Sequence, residues 1–246
     1  MPRYKLTVEY DGAPYQGWQW QDHGPSVQGV MEAAGAKLNK GDPVLVYGSG
    51  RTDSGVHALA QVAHMDLDAD MREDKLRDAM NYHMMNDPVT VLAAEKMPKD
   101  WHARFDARER RYLYRINDRR MKLALDLGRV WRIPMKLDAD AMHHASQVLV
   151  GTHDFSTFRD TRCQSKSPIK TIDEINVIRA AEEIHLTFKA RSFLHKQVRS
   201  IVGSLAEVGT GKWTTKDMKA ALEAKDRTEC GPVAPSEGLY LVSVHY

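Results

Sequence analysis

The sequence predicts an α+β fold made of two consecutive β-α-β-β-α-β halves, residues 1–105 and 106–246. Three observations predict it. Apolar residues recur at strand spacing in short runs and at helical spacing in longer ones. These runs follow the same order twice. An Arg/His-rich stretch, residues 102–110, separates the two series.

In the first half, residues 5–10 read as a strand closed by the turn Asp11-Gly12. Ser26 stands as a cap before Val27, Val30, Met31, Ala34 and Leu38, which share a helical stripe. Residues 43–47 and 61–67 read as short apolar strands. Residues 73–84 carry Leu76, Met80, His83 and Met84 on one helical stripe, and residues 89–94, entered through Asp87-Pro88, read as a fourth strand. The second half repeats the order. Residues 111–117 alternate, with Tyr112, Tyr114 and Ile116 on one face and Arg111, Leu113 and Arg115 on the other. Residues 138–150 read as a helix stopped by Gly151, and residues 171–178 and 184–189 as a hairpin. Residues 193–208 read as a strong helix with Leu194, Val198, Ile201, Leu205 and Val208 inward, ended by Gly209. A further helix, residues 216–224, precedes a closing strand, residues 239–245. This is the split βαβ order of ferredoxin-like (RRM-like) units. Each half is therefore expected to hold an antiparallel sheet with helices on one face. Sheets carrying Tyr and Arg serve as platforms for RNA bases, although a fold alone licenses no activity.

Composition narrows the class. With 246 residues, 42% hydrophobic and 28% charged, the chain can bury a core and is too apolar to be disordered. No apolar run reaches the roughly 20 residues of a membrane helix, and MPRYKLTVEY lacks the apolar stretch of an export signal. Cys163 and Cys230 form no CxxC pair, which fits a reducing compartment. The expectation is a cytoplasmic protein without a membrane partner. A net charge of +2 decides little, but residues 104–122 hold eight Lys/Arg against three acidic residues, a local +5. That is a candidate polyanion footprint or, equally, a solvated basic loop.

The stretch GSGRTDSGVHALAQVAH, residues 48–64, concentrates chemistry-bearing side chains. Asp53, His57 and His64 offer metal-ligand atoms, but two histidines seven apart on a turn and strand face opposite ways, and no HExxH or CxxC spacing supports them. A phosphate cradle fails because the glycines lack GxxxxGK[ST] spacing and no helix follows. Two readings stay open: an Asp-Ser-Gly turn with a surface ion pair, or an aspartate beside Arg51 that stays ionised and acts as a nucleophile. Elsewhere, Tyr112 fits a sheet core and Arg199 a helix-edge arginine reaching solvent. Trp18 and Trp20, two apart, fit packing on the first sheet.

Four segments together resemble the bacterial tRNA pseudouridine(38–40) synthase family: YDGAPYQGWQWQ with SVQG, GRTDSGVHALAQVAH, HARFDARERRYLYRI, and FLHKQVRSIVGSLAEVG. GTHDFSTFRD with CQSKSPIKTI, and EGLYLVSVHY, extend the resemblance over essentially the whole chain. Ser54 stands where many members carry alanine. The resemblance implies isomerisation of uridine in the tRNA anticodon stem-loop, no cofactor and no metal, two ferredoxin-like halves, and a homodimer that holds the tRNA. It implies that Asp53 is the nucleophile, that Tyr112 stacks on the target uracil and that Arg199 pairs with the catalytic carboxylate. It also implies that Arg51 holds or extrudes the flipped nucleotide. A non-catalytic RNA-binding module and an Asp53/His57/His64 metal hydrolase are the competing classes.

Overall fold

Buried Tyr4, Leu6, Val8 and Tyr10 alternate with more exposed neighbours along β1 (Arg3–Tyr10), the period-two signature of a strand with one face on a core. A computed structural model describes all residues, Met1–Tyr246. The chain divides into two units, Met1–Arg108 with Tyr240–Tyr246, and Glu109–Leu239.

In the first unit, β1 is followed by α1 (Val27–Leu38), β2 (Val46–Gly48), β3 (His57–Asp66), α2 (Glu73–His83) and β4 (Val89–Met97). Ser26 caps α1 as the sequence predicts, its hydroxyl accepting from the Gly29 amide at 3.1 Å. The strands run β4-β1-β3, with β1 antiparallel to both neighbours. β2 lies antiparallel along Ala63–Met65 of β3. The last strand, β10 (Leu239–His245), joins the start of β3, pairing Tyr240 with His57 and Leu241 with Ala58 in parallel. The expectation of a purely antiparallel sheet is thus corrected: the sheet is mixed. Its parallel pair joins His57 to Tyr240 and Ala58 to Leu241, far apart in the sequence, and strand periodicity carries no information about such a partner. Leu6, Met31, Met65, Leu76 and Met80 are fully buried between sheet and helices, each stabilising by roughly 1.5–3 kcal/mol.

The second unit holds β5 (Glu109–Asn117), β6 (Trp131–Arg132), α3 (Ala139–Ser146), β7 (Gly151–Asp154), β8 (Ile169–Ala180), β9 (Glu183–Ala190), α4 (Gln197–Gly209) and α5 (Thr215–Ala224). The strands run β5-β9-β8-β7, antiparallel throughout, and the two-residue β6 adds a parallel pair on β5. This sheet too is mixed. α3 packs on β8, α4 and α5. The helix predicted over 138–150 is shorter, because Asp138 is its cap and Gln147–Leu149 tightens into a 3-10 turn. The helix predicted from residue 193 begins only at Gln197, since Lys196 sits in the left-handed region (φ 57°) and breaks the helical run before it. No helix is long and apolar enough to cross a membrane.

Candidate active site

The loop between β2 and β3, residues 49–56, carries Arg51, Thr52 and Asp53. It is fixed on both sides. On one side Gln61, fully buried in β3, accepts from the Ser49 hydroxyl at 2.6 Å and donates to the Gly50 carbonyl at 3.0 Å. On the other, buried Thr52 shares a 2.8 Å hydrogen bond with the Tyr10 hydroxyl, and its carbonyl accepts from the Trp18 amide. The Gly55 amide and the Ser54 hydroxyl both donate to the Tyr15 carbonyl. A side chain at Gly17 would begin 2.6 Å from the Thr52 carbonyl oxygen, and φ there is +98°, so only glycine lets the two segments meet. The YQGW and GRTDSG motifs therefore form one structural piece. At its tip Asp53 is half-buried and Arg51 exposed. These buried hydrogen bonds fix the loop, and with it the place from which the Asp53 carboxylate is presented.

Next to this loop, buried His57 stacks on Tyr240 with ring centroids 4.8 Å apart. Its Nδ1 accepts from the Gly12 amide at 3.0 Å and lies 3.0 Å from Asp11 Oδ1. His64 is elsewhere, stacked on Tyr47 with its Nδ1 accepting from the Ala103 amide at 3.2 Å. Asp53, His57 and His64 do not form a cluster suited to hold a metal ion. Trp18 is buried 6.0 Å from Tyr10, while Trp20 is 56% exposed. The intervening chain is a turn and not a strand, so the two indoles do not share a face.

Tyr112 and Arg199 belong to the second unit. Tyr112, in β5, is half-buried with its ring edge-on to Phe193 at 5.3 Å. Arg199 lies in the first turn of α4. Its Nε donates to the Ala234 carbonyl at 2.8 Å while its own carbonyl accepts from the Ala234 amide, so the guanidinium is aimed by backbone rather than left to snorkel. Tyr114 donates to the neighbouring Pro235 carbonyl at 2.7 Å. Burial pushes its phenol well above the usual range against the opposing charge of Arg199, keeping it a neutral donor. Residues 104–122 are less available than their sequence suggests. Arg115 is bidentate on Glu183, Arg111 pairs with Glu109, Arg119 pairs with Glu182, and Arg110 is buried on the Arg191 carbonyl.

A family model described as tRNA pseudouridine synthase matches residues 6–106 and 145–246. The chain belongs to the tRNA pseudouridine synthase family. It is 62% identical to tRNA pseudouridine synthase A of Maricaulis maris over the whole chain and 98% of that protein. It is 60% identical to the protein of that name from Afipia carboxidovorans, over the whole of both chains. It is also 60% identical to that from Rhodopseudomonas palustris, over the whole chain and 99% of the relative. A tRNA pseudouridine synthase is an isomerase, and the supports around its candidate site are what residue-type reasoning missed. Gln61 and Thr52 look like ordinary strand and loop polar residues. Gln61 alone carries a signal: it lies inside the otherwise apolar run ALAQVA, residues 58–63, where a buried polar group needs partners.

Proposed function

We propose that this synthase isomerises uridine to pseudouridine at positions 38–40 of the tRNA anticodon stem-loop, with Asp53 as nucleophile and the target base flipped out of its stack. The N1–C1′ bond breaks, the detached uracil turns, and C5 joins C1′; the C5 hydrogen leaves to solvent and N1 takes up a proton. Flipping costs a few kcal/mol of stacking. Tyr112 stacks on the extruded uracil, and such contacts return roughly 1–3 kcal/mol per base. Arg51 holds the flipped nucleotide. Arg199 is the counter-charge that keeps Asp53 ionised, opposing the rise in pKa that desolvation by substrate would cause. The reaction needs no cofactor. In this proposal residues 1–105 and 106–246 are two tandem ferredoxin-like halves, the first bringing Asp53 and the second completing the active site. The order β1-α1-β2-β3-α2-β4 supports the first half; the second stretch carries that order with β6, β7 and α5 added, and its last strand pairs with β3. The enzyme works as a cytoplasmic homodimer.

The observation that carries the proposal is the half-buried Asp53 on a loop braced by Gln61 and Thr52, in a chain matched end to end by relatives named tRNA pseudouridine synthase A. The test is release of tritium from tRNA labelled at uracil C5. The wild-type protein releases the label, and Asp53→Asn binds tRNA but releases none. Wild-type release by Asp53→Asn would remove Asp53 from the nucleophile's role, and no release by the native protein would remove the reaction itself.

A further inference from the structure

α4 starts in an unusual way. The lysine at its N-cap, Lys196, is left-handed (φ 57°, ψ 10°), and no side chain caps the helix. A β-carbon disfavours that conformation, so it persists only where surrounding contacts hold it. Inside the turn, the Gln197 amide donates to the Leu194 carbonyl and Gln197 Oε1 accepts from the Leu194 amide. Outside it stands Asp160, from the segment that follows β7. Its carboxylate takes Lys196 Nζ at 2.6 Å, lies 3.5 Å from His195 Nδ1, and accepts from the Arg162 amide at 2.9 Å. The backbones are tied as well: the Asp160 amide donates to the His195 carbonyl, and the His195 amide meets Cys163 Sγ. The segment is itself anchored from below by fully buried Phe155 and Phe158 and by Thr157, whose hydroxyl donates to the Ala221 carbonyl.

This is not an ordinary surface ion pair, for which little effect is expected. The Asp160 and Lys196 side chains are 12% and 21% exposed. Burial works against the charge on Asp160, yet the hydrogen bonds from Lys196 and the Arg162 amide and the charge of Lys196 outweigh it and hold the carboxyl well below the usual carboxylate range. The pair clamps a turn whose next residues include Arg199, three positions on.

We propose that Asp160 is a positioning residue, whose latch on Lys196 holds the left-handed turn that launches α4 and thereby fixes where the Arg199 guanidinium is presented. The inference rests on the reading of Arg199 as part of the active site. An arginine displaced by a fraction of an ångström still binds tRNA as a charge but serves the transition state poorly, so the latch belongs to kcat and not to KM.

The test uses the full-length protein with whole tRNA. Asp160→Asn lowers kcat about tenfold with KM within about twofold. It also speeds amide hydrogen exchange at Val198, Arg199 and Ser200. Adding Lys196→Gly to Asp160→Asn restores most of kcat and the slow exchange, because glycine adopts the turn unaided. Wild-type kcat in Asp160→Asn overturns the proposal, as does a double variant that recovers neither readout. If Asp160→Asn melts far lower than the native protein, recovery in the double variant still separates a turn effect from general unfolding. Should Arg199→Gln keep wild-type kcat, the reading of Arg199 fails, whereas unchanged exchange in Asp160→Asn fails the latch alone.

Discussion

At the scale of single residues, the first unit carries a titration that is separate from the candidate chemistry. His64 is almost fully buried among Tyr47, Trp101 and His102. Burial, with the nearby charge of Arg3, pushes its pKa from the usual 6.5 down to about 4. His102 is shifted the same way, mainly by burial. The folded state therefore prefers neutral His64, whose Nδ1 accepts from the Ala103 amide. Between pH 6.5 and 4 the unfolded chain binds the proton and the folded chain does not, so stability is full above about 6.5 and falls as the pH drops toward 4. The loss approaches about 3 kcal/mol by pH 4. Urea unfolding of the native protein should show it as a falling midpoint, and His64→Gln should flatten much of that slope. An equal acid slope in His64→Gln would place the effect elsewhere. The residue scale is also where the sequence is most uneven as a guide. Asp53 and Arg51 are marked by flanking glycines. Gln61, which holds their loop, is marked only as a polar residue in an apolar strand, because its loop partners are the Ser49 hydroxyl and the Gly50 carbonyl, which spacing does not reveal.

At the scale of elements, strands and helices with a one-sided apolar pattern are legible, and those fixed by backbone exceptions are not. β1, α1, α2 and β10 follow their periodicity to within a few residues. β3 starts at His57, earlier than its apolar run, because pairing with Tyr240 and with β1 extends it through mixed residues. β6 and β7 are too short to have a period. The start of α4 is invisible because the sequence 193–196 has helix-compatible residues, and the left-handed Lys196 that interrupts it is set by tertiary contacts. The middle of α4 gives the sharpest test. Helix propensity favours Ala over Gly by about 1 kcal/mol, so Gly203→Ala reads as stabilising from sequence. In the structure a methyl at Gly203 would lie 1.7 Å from the Pro232 carbonyl oxygen and 3.1 Å from the Ala234 nitrogen. Both are backbone, and Ala234 is the residue that orients Arg199. Overpacking of about 1–3 kcal/mol or more outweighs the propensity gain. Gly203→Ala is expected to lower the melting temperature and reduce kcat together, and a more stable variant with native kcat would show that the 230–235 segment yields freely.

At the scale of the whole molecule, a net charge of +2 hides which cations are available to a polyanion. The sequence marks residues 104–122 as the densest basic run, and it is dense, but a count of charges does not register neighbours brought in by the sheet. Glu183 and Glu182 arrive from the β8–β9 hairpin, some sixty residues on, and take Arg115 and Arg119. Arg108 and Arg120 are exposed and make no ion pair. Counterion release counts only cations that contact phosphate, each contributing roughly 0.7–0.9 to the slope of log affinity against log salt. Two double variants therefore separate the charge that binds tRNA from the charge that holds the fold. Arg108→Gln with Arg120→Gln should flatten the salt dependence of tRNA binding by about 1.5 in slope, with the melting temperature nearly unchanged. Arg115→Gln with Arg119→Gln should leave the slope within about 0.3 of the native value and lower the melting temperature, because Glu183, partly buried, loses its bidentate partner. The reverse pattern, a flattened slope with Arg115 and Arg119 replaced and none with Arg108 and Arg120 replaced, would mean that tRNA phosphates displace Glu182 and Glu183 from their arginines on binding, and that the whole basic run is a footprint held closed until RNA arrives.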